Sequence, residues 1–172
     1  MADFDSVSEY ETRWYTTGYD VVSQPNGSQN TYYWVEMAPA VIVVATTETD
    51  LVLVEQYRPV VGRLMIECSA GVIEHGESIT EAGARELEEE TEDRARSVEL
   101  LQTYNPSPAV LRQEWSIVHA TELALGETRR DENEFLDGQT VPLEKATTVV
   151  REDSANGATL AALFVAADES IV

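Results

Sequence analysis

Between residues 71 and 90 the chain sets out residues that could bind a cation and cut a polar bond. Gly71 is followed by five residues, Glu77, seven more, and then Arg85-Glu86-Leu87-Glu88-Glu89-Glu90. At about 100° per residue in an α-helix, Glu86, Glu89 and Glu90 fall within one arc of about 100°, so three carboxylates converge on one face. Unpaired, they would repel. A hard cation such as Mg²⁺ gives the arrangement a purpose, because it takes carboxylate oxygens together with water and substrate phosphate. An acidic helix face is also the ordinary surface of a very acidic chain; the spacing of Gly71, Glu77 and Arg85 ahead of the glutamates favours the metal reading.

These carboxylates need a rigid support, and the flanking sequence supplies one. Ser78 with Glu81 three residues on forms a capping-box signature, and no proline follows before Glu92, so a helix is expected from Ser78 to about Glu92. Gly83 within it would permit close packing at a cost of about 1 kcal/mol relative to Ala. Ahead of the helix, Trp14 to Val22 and Thr31 to Met37 read as a β-hairpin around Gln24-Pro25-Asn26-Gly27-Ser28. Val41 to Thr46, Leu51 to Tyr57 and Leu64 to Cys68 read as three further strands, making five before the first helix. After it, Val98 to Tyr104, Trp115 to Ala120 and Phe135 to Val141 read as strands, and Leu143 to Arg151 and Ala158 to Asp168 as helices. Without regular β-α alternation, this order predicts an α+β sandwich of mixed sheet and flanking helices.

The residues from Gly71 to Glu90 resemble the Nudix box, Gly, five residues, Glu, seven residues, Arg-Glu-apolar-x-Glu-Glu-x-Gly. Glu92 stands where the family has the last Gly, and a left-handed helix cap there would cost stability. Val54-Glu55-Gln56-Tyr57-Arg58-Pro59 is similar to a strand end of the ADP-ribose pyrophosphatase branch, and Glu67-Cys68-Ser69-Ala70-Gly71 to its Glu-x-Pro-Ala-Gly segment, with Ser69 replacing Pro. Tyr104 to Pro108, Asp131 to Phe135 and Thr159 to Leu163 are similar to further segments of that branch. The resemblance implies a Nudix-like α/β/α sandwich over residues 38–172, preceded by a leader and β-hairpin appendage over residues 1–37.

It also implies roles. The Ala70 carbonyl with Glu86 and Glu90 would hold Mg²⁺ or Mn²⁺, with Glu89 beside the ions and Arg85 orienting the cluster through Glu77 or a box glutamate. Glu134 occupies the position of a loop general base, and Glu89 is the competing base. Arg58 and Glu67 would bind substrate, Arg58 meeting a diphosphate oxygen, or else Arg58 would form a structural salt bridge. Trp14 and Trp34 would stack an adenine, or else pack the hairpin. The implied reaction is hydrolysis of the diphosphate of a nucleoside diphosphate derivative, ADP-ribose foremost, to AMP and ribose 5-phosphate. Another nucleotide sugar or a dinucleotide is the alternative substrate, and a non-catalytic ADP-ribose sensor the alternative of another class. A homodimer built partly from the hairpin is implied as well.

Composition bounds the partners. With 172 residues, 32 Asp and Glu against 11 Lys and Arg leave a formal net charge of −21, and Lys145 is the single lysine. Such a surface disfavours nucleic acid and anionic membranes, the adjacent Arg129-Arg130 being too small a basic patch. Charge repulsion at this density is relieved by salt, so a salt-rich cytoplasm is expected. Cys68 is the lone cysteine, excludes an intrachain disulfide, and is expected to be buried and inert. His75 and His119 are not spaced as a metal pair. The N-terminus lacks signal-peptide character, and Ala38 to Ala45, interrupted by Pro39, falls far short of the roughly 20 residues that span a bilayer.

Overall fold

The computed structural model describes residues 4–126, 136–153 and 156–172. In chain order the strands before the first helix are β1 (Phe4–Glu11), β2 (Tyr15–Ser23), β3 (Gln29–Met37), β4 (Ala40–Thr46), β5 (Asp50–Arg58), β6 (Arg63–Glu67) and β7 (Ser69–Val72). After α1 (Ile79–Thr91) come β8 (Asp93–Arg94), β9 (Ser97–Tyr104), β10 (Leu111–Arg112), β11 (Trp115–Thr121), β12 (Ala124–Leu125) and β13 (Leu136–Pro142). A 3₁₀ turn (Leu143–Lys145), α2 (Ala146–Asp153) and α3 (Gly157–Asp168) close the chain. Among the described residues, then, seven strands rather than five precede the first helix. The two additions are β1, in what reads as a polar leader, and the short β7.

The chain forms two compact units, residues 1–39 with 104–115, and residues 40–103 with 116–172. In the first, β1, β2 and β3 form an antiparallel meander, and β10 adds to β3 in parallel, Leu111 opposite Val35. Gln113, nearly buried, ties this return segment down by donating to the Ala38 carbonyl at 2.7 Å. Trp34 is 6% exposed, donates from Nε1 to Asp20 at 3.0 Å, and lies beneath the Arg112 guanidinium, 4.1 Å from the ring centroid. Gly18 is required there: a Cβ would stand 2.6 Å from the Trp34 ring and 2.1 Å from the Val7 carbonyl oxygen.

The second unit holds a mixed sheet with the order β13-β5-β4-β11-β9, on which β6 pairs with β5 and β7 with β4. Every residue of β4 is buried, which requires cover on both faces. Val41, Val43 and Ala45 pack with Ala82 and Leu87 of α1 and with Val118 and Ala120 of β11. Helix α3 also packs against β4, and its Thr159 hydroxyl accepts the Cys68 N–H at 3.1 Å. The result is the expected α+β sandwich. Gly83 lets α1 lie close to the sheet, since a Cβ there would come within 2.7 Å of Val118 Cγ2. Among the described residues no helix is long and apolar enough to cross a membrane.

Candidate active site

Helix α1 begins as its sequence requires: Ser78 Oγ accepts the Glu81 N–H, and the Glu81 carboxylate accepts the Ser78 N–H at 2.9 Å. Leu87 and Ala82 face the core, and Glu86 and Glu90 meet β7 at Gly71 and Ala70. At the other end Glu92 is the cap, left-handed at φ 67°, with its N–H on the Glu88 carbonyl. A glycine would take that conformation without the Cβ penalty.

Arg85 organises the edge. Its Nε and Nη2 grip the two oxygens of Glu77 at 2.9 and 3.1 Å. Nη1 bonds Glu86 at 2.8 Å and Glu89 at 3.0 Å, and Nη2 also reaches the Val72 carbonyl at 2.9 Å. Those contacts occupy all five N–H donors of a guanidinium, so Arg85 joins both Glu77 and the box glutamates rather than one or the other. The bond from Arg85, with the Glu74 N–H, holds the Glu77 carboxyl below the usual glutamate range. Glu77 in return strengthens the hold of Arg85 on its proton.

Beneath α1, β7 offers its backbone. The Glu86 carboxylate lies directly over Gly71, where a Cβ would be 2.0 Å from Oε1. Glu90, nearly buried, accepts the Ala70 N–H at 3.2 Å. Glu67 is 2% exposed and compensated by Arg58, whose Nε lies 3.1 and 3.2 Å from its two oxygens and whose Nη2 also bonds it. Cys68 is fully enclosed, and burial first, then the Glu67 and Glu90 carboxylates, push its thiol up to about 12. A thiol so poised is no nucleophile at neutral pH.

The donor types suit a hard divalent cation, and the missing Cβ of Gly71 leaves the Glu86 carboxylate room over the strand. Among the described residues no three carboxylate, imidazole or thiol side chains stand already converged as a metal cluster. Arg85 has drawn in Glu86 and Glu89, and the Ala70 N–H faces Glu90.

Trp14 is 63% exposed, with Arg13 4.6 Å from its ring centroid. His75 is exposed; His119 shares a 2.8 Å hydrogen bond with Thr46 Oγ1, and burial lowers its pKa. Glu134, Arg129 and Arg130 lie outside the described residues. One contributor to the site, the Val72 carbonyl that accepts from Arg85, has no side-chain signature in the sequence.

The family model described as NUDIX domain matches residues 36–163. The chain belongs to the Nudix family. This Nudix protein is similar to the ADP-ribose pyrophosphatase of Bacillus subtilis (strain 168), with 34% identity over 132 residues spanning 75% of this chain and 71% of that protein. It is similar, at 34% identity over 136 residues, to the methanol dehydrogenase activator of Bacillus methanolicus, across 77% of this chain and 74% of that one. A solved structure of an ADP compounds hydrolase matches the Nudix protein with a TM-score of 0.86 and 25% identity, covering 99% of this chain and 97% of its own.

Proposed function

We propose that this Nudix protein hydrolyses the diphosphate of ADP-ribose to AMP and ribose 5-phosphate. The observation that carries the reading is the Arg85 knot, which gathers Glu77, Glu86 and Glu89 at the edge of α1 while Glu90 meets β7 at Ala70. The similarity to an ADP-ribose pyrophosphatase supports ADP-ribose as substrate. Glu86, Glu90 and the Ala70 carbonyl would hold Mg²⁺, with Glu89 adjacent. When bound, the cation neutralises the diphosphate and lowers the pKa of a water.

The remaining work falls to the chain itself. Arg85 fixes the helix-edge carboxylates in register with β7. Glu134 takes the proton of the attacking water, with Glu89 as the competing base. The water oxygen bonds to one phosphorus, the bridging P–O bond breaks, and each product leaves with its own phosphate. Arg58, braced by the buried Glu67, meets a diphosphate oxygen. Trp14 and Trp34 are the proposed stacking partners of the purine, the first with an exposed indole and the second with one ring face against Arg112.

The boundary between a hairpin appendage (1–37) and a Nudix domain (38–172), a homodimer formed partly through the hairpin, and a salt-rich cytoplasm complete the proposal. A net charge of −21 supports the last; a melting temperature unmoved between low and multimolar KCl would count against it. The activity is tested by product analysis with ADP-ribose, nucleotide sugars and dinucleotides, with Mg²⁺ and with EDTA. Mg²⁺-dependent AMP and ribose 5-phosphate are expected. Turnover of another panel member alone would reassign the substrate, and tight ADP-ribose binding without turnover would make the protein a sensor.

A further inference from the structure

Ser69 opens β7, is 1% exposed, and its Oγ has no hydrogen-bond partner among the described residues. A buried hydroxyl left unpaired is costly and uncommon enough to require a reason. Register shows where it points. Ser69 pairs with Val43 and Gly71 with Val41, and directly opposed residues of an antiparallel pair share a face. Val41 and Val43 pack against Ala82 and Leu87 of α1, so Ser69 and Gly71 face that helix too.

Gly71 lies beneath Glu86. Glu90 is one turn further along α1, and its Oε2 reaches back to the N–H of Ala70, the residue next to Ser69. The unpaired hydroxyl therefore lies under the end of α1 that carries Glu90. The resemblance places Pro at this position, a residue without a hydroxyl.

We propose that Ser69 is a positioning residue for the divalent cation, its Oγ–H donating to the Glu90 carboxylate and holding it turned toward the ion. This rests on the metal reading above. Removing an outer-shell hydrogen bond to a metal-binding carboxylate weakens affinity typically by ten- to a hundredfold, whereas removing a hydroxyl that bonds nothing in the metal-free fold leaves that fold no weaker.

The test is Mn²⁺ binding, followed by the electron paramagnetic resonance signal of the free ion, to the full chain in multimolar KCl without nucleotide. Wild type, Ser69→Ala and Ser69→Thr are compared, with melting curves in EDTA. Ser69→Ala is expected to bind Mn²⁺ about tenfold more weakly at an unchanged or raised metal-free melting temperature. Ser69→Thr, which keeps the hydroxyl, is expected to retain wild-type affinity. Equal affinity in wild type and Ser69→Ala overturns the proposal, as does weaker binding that tracks a lowered metal-free melting temperature. A wild type that binds no Mn²⁺ overturns the metal reading itself.

Discussion

Replacing Gly71 by Ala separates what the site needs from what the fold needs. The new Cβ would stand 2.0 Å from Glu86 Oε1, 2.1 Å from its Cδ and 2.3 Å from Oε2, against the 3.0 Å that real Cβ contacts respect. To reach that limit Oε1 must withdraw by about 1 Å, from 3.0 minus 2.0. The obstacle is the far end of a flexible side chain and not backbone, so the fold can yield. Its loss is the bond from Arg85 Nη1 to Glu86, 2.8 Å long and partly buried, about 1 kcal/mol. For a chain of this size that lowers the melting temperature by roughly 2–4 °C. Activity has no such tolerance, since a misplacement of about 1 Å in a reacting constellation can cost about a hundredfold. The assay pairs a circular-dichroism melt with the rate of AMP release from ADP-ribose. A drop of about a hundredfold in kcat/KM with a shift of only a few degrees is expected. Turnover near wild type would refute the claim that the Glu86 carboxylate must lie over β7.

Other perturbations probe the same frame. Arg85→Lys keeps the charge but cannot span Glu77, Glu86, Glu89 and the Val72 carbonyl; a loss of about 2 kcal/mol in chemical denaturation and near-complete loss of turnover are expected. Glu92→Gly relieves a left-handed cap at φ 67° and is expected to stabilise the protein by about 1 kcal/mol, read as a raised denaturation midpoint, with turnover unaltered. Because Glu77 has a lowered pKa in the folded state, its stabilisation is complete above the ordinary glutamate value of 4.5 and fades as pH falls through the lowered one. Denaturant titrations below that value should show this loss in the wild type, and a smaller one in Arg85→Lys.

What could be read in advance was local. Ser78, Glu81 and the proline-free run to Glu92 define α1 within the chain's own neighbourhood, and the αL cap at Glu92 follows from the glycine that the Nudix pattern has there. The strong apolar runs of β4 and β5 could not be mistaken. Strand β7 was hidden because it is four residues long, contains Gly71, and is separated from β6 by Cys68 alone. Strand β1 has few apolar residues and is a strand because it pairs with β2, not because its own pattern demands it.

Long-range partners lay beyond any local rule. Nothing near Trp34 announces that Arg112 will cover it, or near Glu36 that Arg112 will pair beside it in parallel. The sequence also does not announce that Arg58 is braced by Glu67, nine residues on, a pairing that leaves its proposed contact with a diphosphate oxygen open. At Arg85 the choice between Glu77 and the box glutamates dissolved, because five donors serve both.

The most direct test of the central claim is AMP release from ADP-ribose at saturating Mg²⁺ by wild type and Glu90→Gln side by side. The substitution removes a charge at nearly constant volume from a carboxylate held against the Ala70 N–H. The account predicts Mg²⁺-dependent release by the wild type and a loss of turnover in a folded Glu90→Gln protein. Near-normal turnover by Glu90→Gln would contradict the assignment of α1 as the metal-bearing helix.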